Sequence, residues 1–206
     1  MTAYQPYPDL RLDDDCDDEE KEGRLFDRVA KRLYDARTVI ISGGIDMKMA
    51  KKVVAELLAL GMDSDEDITL YLNSPGGHVE AGDTIHDIIR FISPRVRLVG
   101  TGWVASAGAH IFLAAPVEDR YCLPNTRFLL HQPSGGADGW AKDIDIEAQQ
   151  ILKMRERLNR IISEGTGQPL EKVKKDTDRN FWLTAEEAID YGLCGKIISS
   201  MKELDQ

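Results

Sequence analysis

Short apolar runs alternate along the chain with segments in which apolar residues recur at helical spacing. Such runs are typical of buried β-strands, whereas the spaced pattern is typical of amphipathic helices. Strands are predicted at residues 38–42, 68–72, 96–99 and 126–130. Helices are predicted between them, at residues 46–60, at residues 79–92, and from Ser106 through residues 111–115. The order β-α-β-α-β-α-β predicts an α/β layer architecture around a mostly parallel, covered sheet.

Further helices are predicted on either side of these units. The first precedes residue 38 and rests on apolar residues at helical spacing: Leu25, Phe26, Val29, Ala30, Leu33 and Tyr34. After the fourth strand, a glycine-rich segment precedes a long helix at residues 142–164, whose spare apolar surface predicts contact with a partner subunit. The remaining predictions are a short helix at 169–178, a helix with a capping box of Thr184 and Glu187, a strand within 194–199, and a helix cap at Gly61.

Composition narrows the class of protein without identifying it. The 206 residues suffice for one domain with a full core, and 42% apolar residues is ordinary for a globular protein. The net charge of −10 argues against nucleic acid or an anionic membrane as partner. No apolar run is long enough for a membrane span, and residues 1–6 lack the pattern of a secretory signal. The widely spaced Cys16, Cys122 and Cys194 suggest neither a disulfide framework nor a metal cluster, which fits a reducing cytoplasm.

The start of the chain differs from the rest. Residues 13–20 contain seven carboxylates around Cys16. Because like charges repel one another, residues 1–23 are predicted to be a disordered, solvated tail, with metal binding as the alternative. Residues 24–206 are then predicted to form a single domain.

Three candidate chemical groups follow predicted strands. Ser106 stands between a strand and a helix among small neighbours, where a helix N-terminus offers unpaired N–H groups. That setting suits a nucleophile and its oxyanion, although a packed helix with an incidental serine is the alternative. Gly76 and Gly77 follow another strand and either present N–H groups to an oxyanion or form an ordinary β-turn. His131 ends the strand at 126–130, where sites collect in α/β sheets, or is a hydrogen-bonded structural histidine.

These stretches, with others, match one known family in register. The matching segments are residues 73–77, Ala105 and Ser106 with Gly108 and Ala109, residues 122–125 and 131–133, and residues 184–188 and 191–193. Together they resemble the ClpP family, the proteolytic subunits of the Clp protease, from about Arg24 to Ile198. The resemblance implies the ClpP/crotonase fold, an α/β fold with a protruding handle formed by about residues 134–164.

The resemblance also implies an activity and its machinery. The chain would be an ATP-dependent serine endopeptidase subunit that degrades unfolded polypeptides inside a ring-shaped chamber. Ser106 would be the nucleophile, His131 the general base, and the backbone N–H groups of Gly77 and Ala107 the oxyanion donors. Homo- or hetero-heptameric rings would stack as a tetradecamer and bind a hexameric AAA+ ATPase. No metal or organic cofactor is implied at the peptidase site.

The chain departs from the family pattern at two places. Asn180 stands where the family usually has the triad aspartate, and its amide can hold the histidine tautomer but carries no charge. A weaker or conditional site is therefore expected, unless Asp178 or Asp176 is the third member. The acidic tail replaces a usually hydrophobic segment. Thr69 replaces an aromatic of the ATPase-docking groove, where Tyr71 and Phe91 remain aromatic.

Two other functions stay open at this point. Asn180 and the acidic tail also fit a weakly active or inactive ring subunit that serves assembly and gating beside an active paralogue. A different crotonase-fold enzyme, such as an acyl-CoA hydratase, is disfavoured by the pairing of Ser106 with His131, because hydratases normally use carboxylates in that cleft.

Overall fold

The structure is a computed structural model that describes residues 27–204. The described residues divide into two units at the boundary between Ala36 and Arg37. In the first unit a helix, α1, is described over residues 27–35, where apolar spacing predicts one. Several predicted features lie outside the described residues: Leu25, Phe26, and the acidic tail at 1–23.

The described part of the second unit contains seven β-strands and six α-helices. The strands are β1 (Thr38–Ser42), β2 (Ile68–Ser74), β3 (Val96–Ala105), β4 (Arg120–Cys122), β5 (Arg127–Leu130), β6 (Phe181–Leu183) and β7 (Lys196–Ile197). The helices are α2 (Met47–Asp63), α3 (Val79–Phe91), α4 (Ala107–Phe112), α5 (Ala141–Thr166), α6 (Leu170–Asp176) and α7 (Ala185–Tyr191). The elements predicted from apolar spacing are present, while β4 and β6 were not predicted.

One sheet joins all seven strands. Its main path runs in the order β1-β2-β3-β4-β7 with every neighbouring pair parallel, which confirms the predicted, mostly parallel sheet. β3 is longer than the strand predicted at residues 96–99. Along the edge that faces away from β2, it pairs with two different strands. Its first part pairs with β4, and its last part pairs in parallel with β5, where Ala105 lies opposite Leu129. β6 completes the sheet, antiparallel to β5.

This division of β3 determines where chemistry can occur. Ser106 directly follows β3, and His131 directly follows β5. Because the two strands are parallel neighbours, their carboxyl ends meet at one edge of the sheet. The topology therefore brings two residues that are distant in sequence to the same edge.

The core fills the space between the sheet and three helices. Leu70 and Leu98 of the sheet are fully buried, as are Leu57 of α2, Ile85 of α3 and Phe112 of α4. Each such side chain stabilises the fold by about 1.5–3 kcal/mol relative to exposure. α3 packs between α2 and α4, so the helix that follows Ser106 is anchored in the centre of the core.

Gly61 does not end α2, contrary to the sequence prediction. The helix continues to Asp63 and is capped by Ser64, whose N–H donates to the carbonyl of Leu60 at 3.3 Å. A Cβ at Gly61 would lie 3.4 Å from the Cβ of Ile92, at the end of α3. Gly61 therefore lies inside the helix, against the end of α3, rather than forming a left-handed cap.

The long helix α5 is attached to the domain mainly by its second half. It has 26 residues, or about 39 Å at the usual helical rise. Along α5, which is described throughout, only Asn159 and Ile162 are buried, whereas Ile144, Ile146 and Leu152 are exposed. This agrees with the predicted protruding helix and its spare apolar surface. No helix in the described part of the chain combines the length and apolar character needed to span a membrane.

Candidate active site

Ser106 occupies a strained turn between β3 and α4. Its φ of 55° and ψ of −118° lie in a region that non-glycine residues seldom adopt. Its N–H donates to the carbonyl of Leu129 on β5 at 2.8 Å, and its carbonyl accepts from the N–H of His110 at 3.0 Å. This sharp passage from strand to helix is the geometry of a nucleophile elbow.

The turn after β2 packs directly against this elbow. A Cβ at Gly76 would lie 2.6 Å from the Cβ of Ser106 and 2.8 Å from the carbonyl oxygen of Ala105. The φ of Gly76 is 97°, which also favours glycine. The buried hydroxyl of Ser74 fixes the turn, because it donates to the carbonyl of Gly43 at 2.7 Å and accepts from the N–H of Gly76 at 3.0 Å. The turn and the elbow are therefore held in contact by hydrogen bonds and by the absence of a side chain.

The predicted oxyanion donors, Gly77 and Ala107, each directly follow one of the two residues in this contact. Two backbone hydrogen bonds flank Gly77: the N–H of Ile45 donates to the carbonyl of Gly76, and the N–H of His78 donates to the carbonyl of Ile45. The N–H of Gly77 takes part in neither bond. Ala107 is the first residue of α4, so its N–H has no acceptor within the helix. Across residues 27–204, neither N–H forms a hydrogen bond. Both groups are therefore available to a bound anion.

Ser106 and His131 line the same small cavity. Its volume is about 30 Å³, and it is otherwise lined by Val79, Ala107, His110, Leu130, Pro133, Leu158 and Ile162. Nδ1 of His131 lies 2.7 Å from the carbonyl oxygen of Gln132. Because a carbonyl oxygen only accepts, Nδ1 is the donor in this contact, and in the neutral form of the ring Nε2 is then the acceptor. This is the tautomer that the general base of a serine nucleophile requires.

Asn180 lies beside His131 in the strand register but is not hydrogen-bonded to it. Leu130 pairs with Phe181 between antiparallel β5 and β6, so the next positions outward are His131 and Asn180. Within the described residues, Asn180 is exposed, and Nδ1 of His131 donates to a backbone carbonyl instead. No hydrogen bond joins the Ser106 hydroxyl to His131 in that part of the chain either. The topology gathers the three predicted residues, while their roles stay a prediction.

Asp176 and Asp178, the alternatives to Asn180 as third member of the predicted triad, both contact other groups. Asp176 accepts from the hydroxyl of Tyr191 at 2.9 Å and pairs with Lys172 at 2.8 Å. Burial, followed by this hydrogen bond to Asp176, raises the pKa of the Tyr191 hydroxyl. Asp178 pairs with Arg155 of α5 at 2.9 Å. Among the described residues, neither carboxylate is a hydrogen-bond partner of the histidine.

Sequence reasoning missed a partly buried polar cluster beside the nucleophile candidate. Nε2 of His110 lies 2.8 Å from Asp83, and Arg157 of α5 donates to both oxygens of that carboxylate at 2.7 Å each. The ring of His110 stacks on that of His86, with centroids 4.5 Å apart and planes 8° from parallel. His86 is buried as well. Helical spacing was the available signal, since Asp83 and His86 lie one turn apart on α3, and His110 lies one turn after Ser106.

The contacts in this cluster determine its charges. Burial alone would raise the pKa of the Asp83 carboxyl, but contacts with His110 and Arg157 outweigh it and hold that pKa well below its ordinary value. Burial, followed by the electrostatic interaction with His110, lowers the pKa of His86. The hydrogen bonds to Asp83 raise the pKa of Arg157. An ionised carboxylate with a permanent cation therefore lies beside the helix that begins after Ser106.

A strained serine at a strand-to-helix turn, with a histidine at the end of the neighbouring strand, is typical of a serine hydrolase. The family model described as Clp protease matches residues 20–201. The chain is 57% identical over 192 residues to the ATP-dependent Clp protease proteolytic subunit 3 of Rhizobium etli, which covers 93% of this chain and 99% of that protein. It is 52% identical over 196 residues to the ATP-dependent Clp protease proteolytic subunit 2 of Pseudomonas aeruginosa, covering 95% and 98%.

Solved structures agree with the sequence comparisons. An Asn-to-Asp mutant of ClpP1 from Listeria monocytogenes matches with a TM-score of 0.81 at 53% identity, covering 85% of this chain and 99% of that chain. ClpP1 from the same organism matches with a TM-score of 0.78 at 52% identity and the same coverage, 85% and 99%. The chain belongs to the Clp protease family. This confirms the predicted ClpP fold and the predicted Clp-type serine protease activity.

Proposed function

We propose that Ser106 is the nucleophile of this peptidase subunit, that His131 is its general base, and that Gly77 and Ala107 are the oxyanion donors. The observation that carries this assignment is the strained turn at Ser106, with φ of 55°, because such strain clusters at functional sites. The tautomer of His131 adds support, since Nδ1 donates at 2.7 Å to a carbonyl and Nε2 is left to accept a proton.

The reaction follows from these groups. Nε2 of His131 removes the proton from Ser106 Oγ as Oγ attacks the carbonyl carbon of the scissile peptide bond. The resulting oxyanion accepts hydrogen bonds from the N–H groups of Gly77 and Ala107. His131 returns the proton to the leaving amine as the C–N bond breaks, which leaves an ester on Ser106. Water, deprotonated by the same histidine, then hydrolyses the ester, and the serine regains its proton.

Asn180 is proposed as the third member of the site. Its place opposite His131 in the β5–β6 register supports an approach of its side-chain carbonyl to Nδ1. Such a contact would orient the imidazole, as the carbonyl of Gln132 does in this structure, but would supply no negative charge. Because the imidazolium formed during attack is then less stabilised, we expect slower cleavage than with an aspartate.

We also propose an assembly and a partner. Homo- or hetero-heptameric rings would stack as a tetradecamer, and a hexameric AAA+ ATPase would feed unfolded polypeptides into the chamber. The names of the relatives, ATP-dependent Clp protease proteolytic subunits, support an ATPase partner. The exposed Ile144, Ile146 and Leu152 of α5 support burial of the handle, residues 134–164, against another subunit. The site needs no metal or cofactor for this chemistry, and the cytoplasm is the proposed location.

A weakly active or inactive ring subunit is the second candidate. The observation that favours it is the partner of His131 Nδ1, which within the described residues is a backbone carbonyl rather than a carboxylate. The acyl-CoA enzyme considered from the sequence loses its basis, because the chain belongs to the Clp protease family. The wider kinship with the crotonase fold stays part of the proposal.

Labelling with a fluorophosphonate serine probe, read by mass, tests the assignment. We expect the assembled wild type to gain one probe mass per chain and the Ser106→Ala variant to gain none. Labelling of the wild type alone would support an activated Ser106 beside Asn180. An assembled wild type that does not react would favour the inactive ring subunit.

A further inference from the structure

A series of contacts links α5 to the helix that begins after Ser106. Arg157 of α5 donates to both carboxylate oxygens of Asp83 on α3, each at 2.7 Å. The same carboxylate lies 2.8 Å from Nε2 of His110 on α4. His110 stacks on His86 of α3. These four residues, which we call the Asp83 cluster, join three helices.

The cluster differs from an ordinary surface ion pair. Exposed pairs contribute little to stability because water solvates both charges. Here the side chain of Asp83 is only 17% exposed and that of His110 only 7%. A carboxylate with so little water depends on its protein partners, so removing one partner leaves a poorly solvated charge. His110 therefore lies in contact with a carboxylate that Arg157 holds in place.

The cluster is directly connected to the nucleophile. The N–H of His110 donates to the carbonyl of Ser106 at 3.0 Å, and the side chain of His110 lines the cavity that Ser106 shares with His131. α3 approaches α4 closely next to Asp83, because a Cβ at Gly82 would lie 3.3 Å from the Cβ of Ala107. The start of α4 therefore packs on α3, and its next turn contacts the carboxylate held by α5.

We propose that Asp83, held by Arg157, is a positioning residue that fixes Ser106 for reaction through His110. The proposal rests on the nucleophile role proposed above for Ser106. Arg157 lies on α5 next to the buried Asn159, between the exposed first half of the helix and its attached end. Loss of the contact should therefore slow bond formation at Ser106 and leave substrate binding unchanged, since Asp83 does not line the cavity.

Variants of the full-length, assembled chain test this proposal. Asp83→Asn keeps the size of the side chain and removes its charge. Arg157→Gln removes the cation from a side chain that is 47% exposed, so the fold should tolerate the change even if Asp83→Asn does not fold. Arg157→Lys is the conservative variant. Arg160→Gln is the matched control, because Arg160 pairs with Glu156 on the exposed surface of the same helix.

For each variant, the limiting rate and the half-saturation concentration are measured separately, for fluorophosphonate labelling and for cleavage of a fluorogenic peptide. Because a misplacement of about 1 Å can cost about a hundredfold in rate, we expect the limiting rate of Asp83→Asn and Arg157→Gln to fall at least about tenfold at unchanged half-saturation. Arg157→Lys should recover most of the rate, and Arg160→Gln should match the wild type. The limiting rate of the double variant should fall no further than that of the more impaired single variant, because both changes act through one contact. Unchanged limiting rates in folded, assembled variants would overturn the proposal. A rise in the half-saturation concentration alone, with the limiting rate unchanged, would overturn it as well.

Amide hydrogen exchange gives a readout that does not depend on reactivity. In Asp83→Asn or Arg157→Gln, exchange across α4 (Ala107–Phe112) should accelerate several-fold, while exchange in α2 should not change. If the wild-type Ser106 does not label, its proposed role fails, and exchange alone then decides whether Asp83 holds α4. Unchanged exchange across α4 would refute the positioning role even where Ser106 labels normally.

Discussion

Replacing Gly76 with alanine should impair the site while leaving the fold largely intact. The new Cβ would lie 2.6 Å from the Cβ of Ser106, so the two groups must separate by about 0.8 Å to reach an ordinary contact at 3.4 Å. The φ of 97° adds backbone strain of about 1–3 kcal/mol for a residue with a side chain. Because a misplacement of about 1 Å can cost about a hundredfold in rate, we expect cleavage and labelling rates of Gly76→Ala to fall by about two orders of magnitude.

The assay is the initial rate of cleavage of a fluorogenic peptide by protein that elutes as the assembled oligomer. Gly44→Ala is the matched control, because a Cβ at Gly44 meets no other atom within 4 Å in the described chain. Urea unfolding reports whether the free energy of unfolding falls by no more than the backbone strain expected at position 76. A folded Gly76→Ala variant with the wild-type rate would refute the claim that close contact with Gly76 positions Ser106. Equal losses in Gly44→Ala would show that the rate is sensitive to any change in these loops.

Two further predictions concern charge. Asn180→Asp should raise the limiting rates of labelling and cleavage at neutral pH by at least about tenfold, because a carboxylate stabilises the imidazolium of His131. An unchanged rate would mean that the side chain at position 180 does not contact the ring. The stability contributed by Asp83, whose pKa is lowered in the fold, is fully present above the ordinary carboxyl pKa of about 3.9 and is lost as the pH falls toward the lowered value. Urea unfolding of wild type and Asp83→Asn should therefore differ most near neutral pH and converge in acid, and a difference that grows in acid would contradict the contacts described for Asp83.

Features determined by neighbouring residues were predicted well. The strand at residues 38–42 has the predicted bounds of β1, because β-branched residues favour an extended backbone. The capping box of Thr184 and Glu187 is present in both directions, because its hydrogen bonds join residues three apart. The elbow at Ser106 was placed correctly between strand and helix for the same reason, since small residues and glycines surround it.

Features determined by distant residues were missed. β6 has only three residues, and its pairing with β5 arises from contacts across the fold rather than from local apolar spacing. The Asp83 cluster assembles from three helices, and each of its side chains is unremarkable within its own helix. Gly61 was misread as a cap for a related reason, because the helix continues two residues past it to Asp63.

Orientation and charge are separable contributions of the group beside a catalytic histidine. In this structure the carbonyl of Gln132 already accepts from Nδ1 of His131 at 2.7 Å and fixes the tautomer. Asn180, next to the ring in the strand register, can replace that acceptor without changing either the tautomer or the net charge of the site. An aspartate at this position would add the charge that stabilises the imidazolium formed as Ser106 attacks. Because a neutral acceptor supplies orientation in the wild type, the rate gained in Asn180→Asp would measure the contribution of the charge alone.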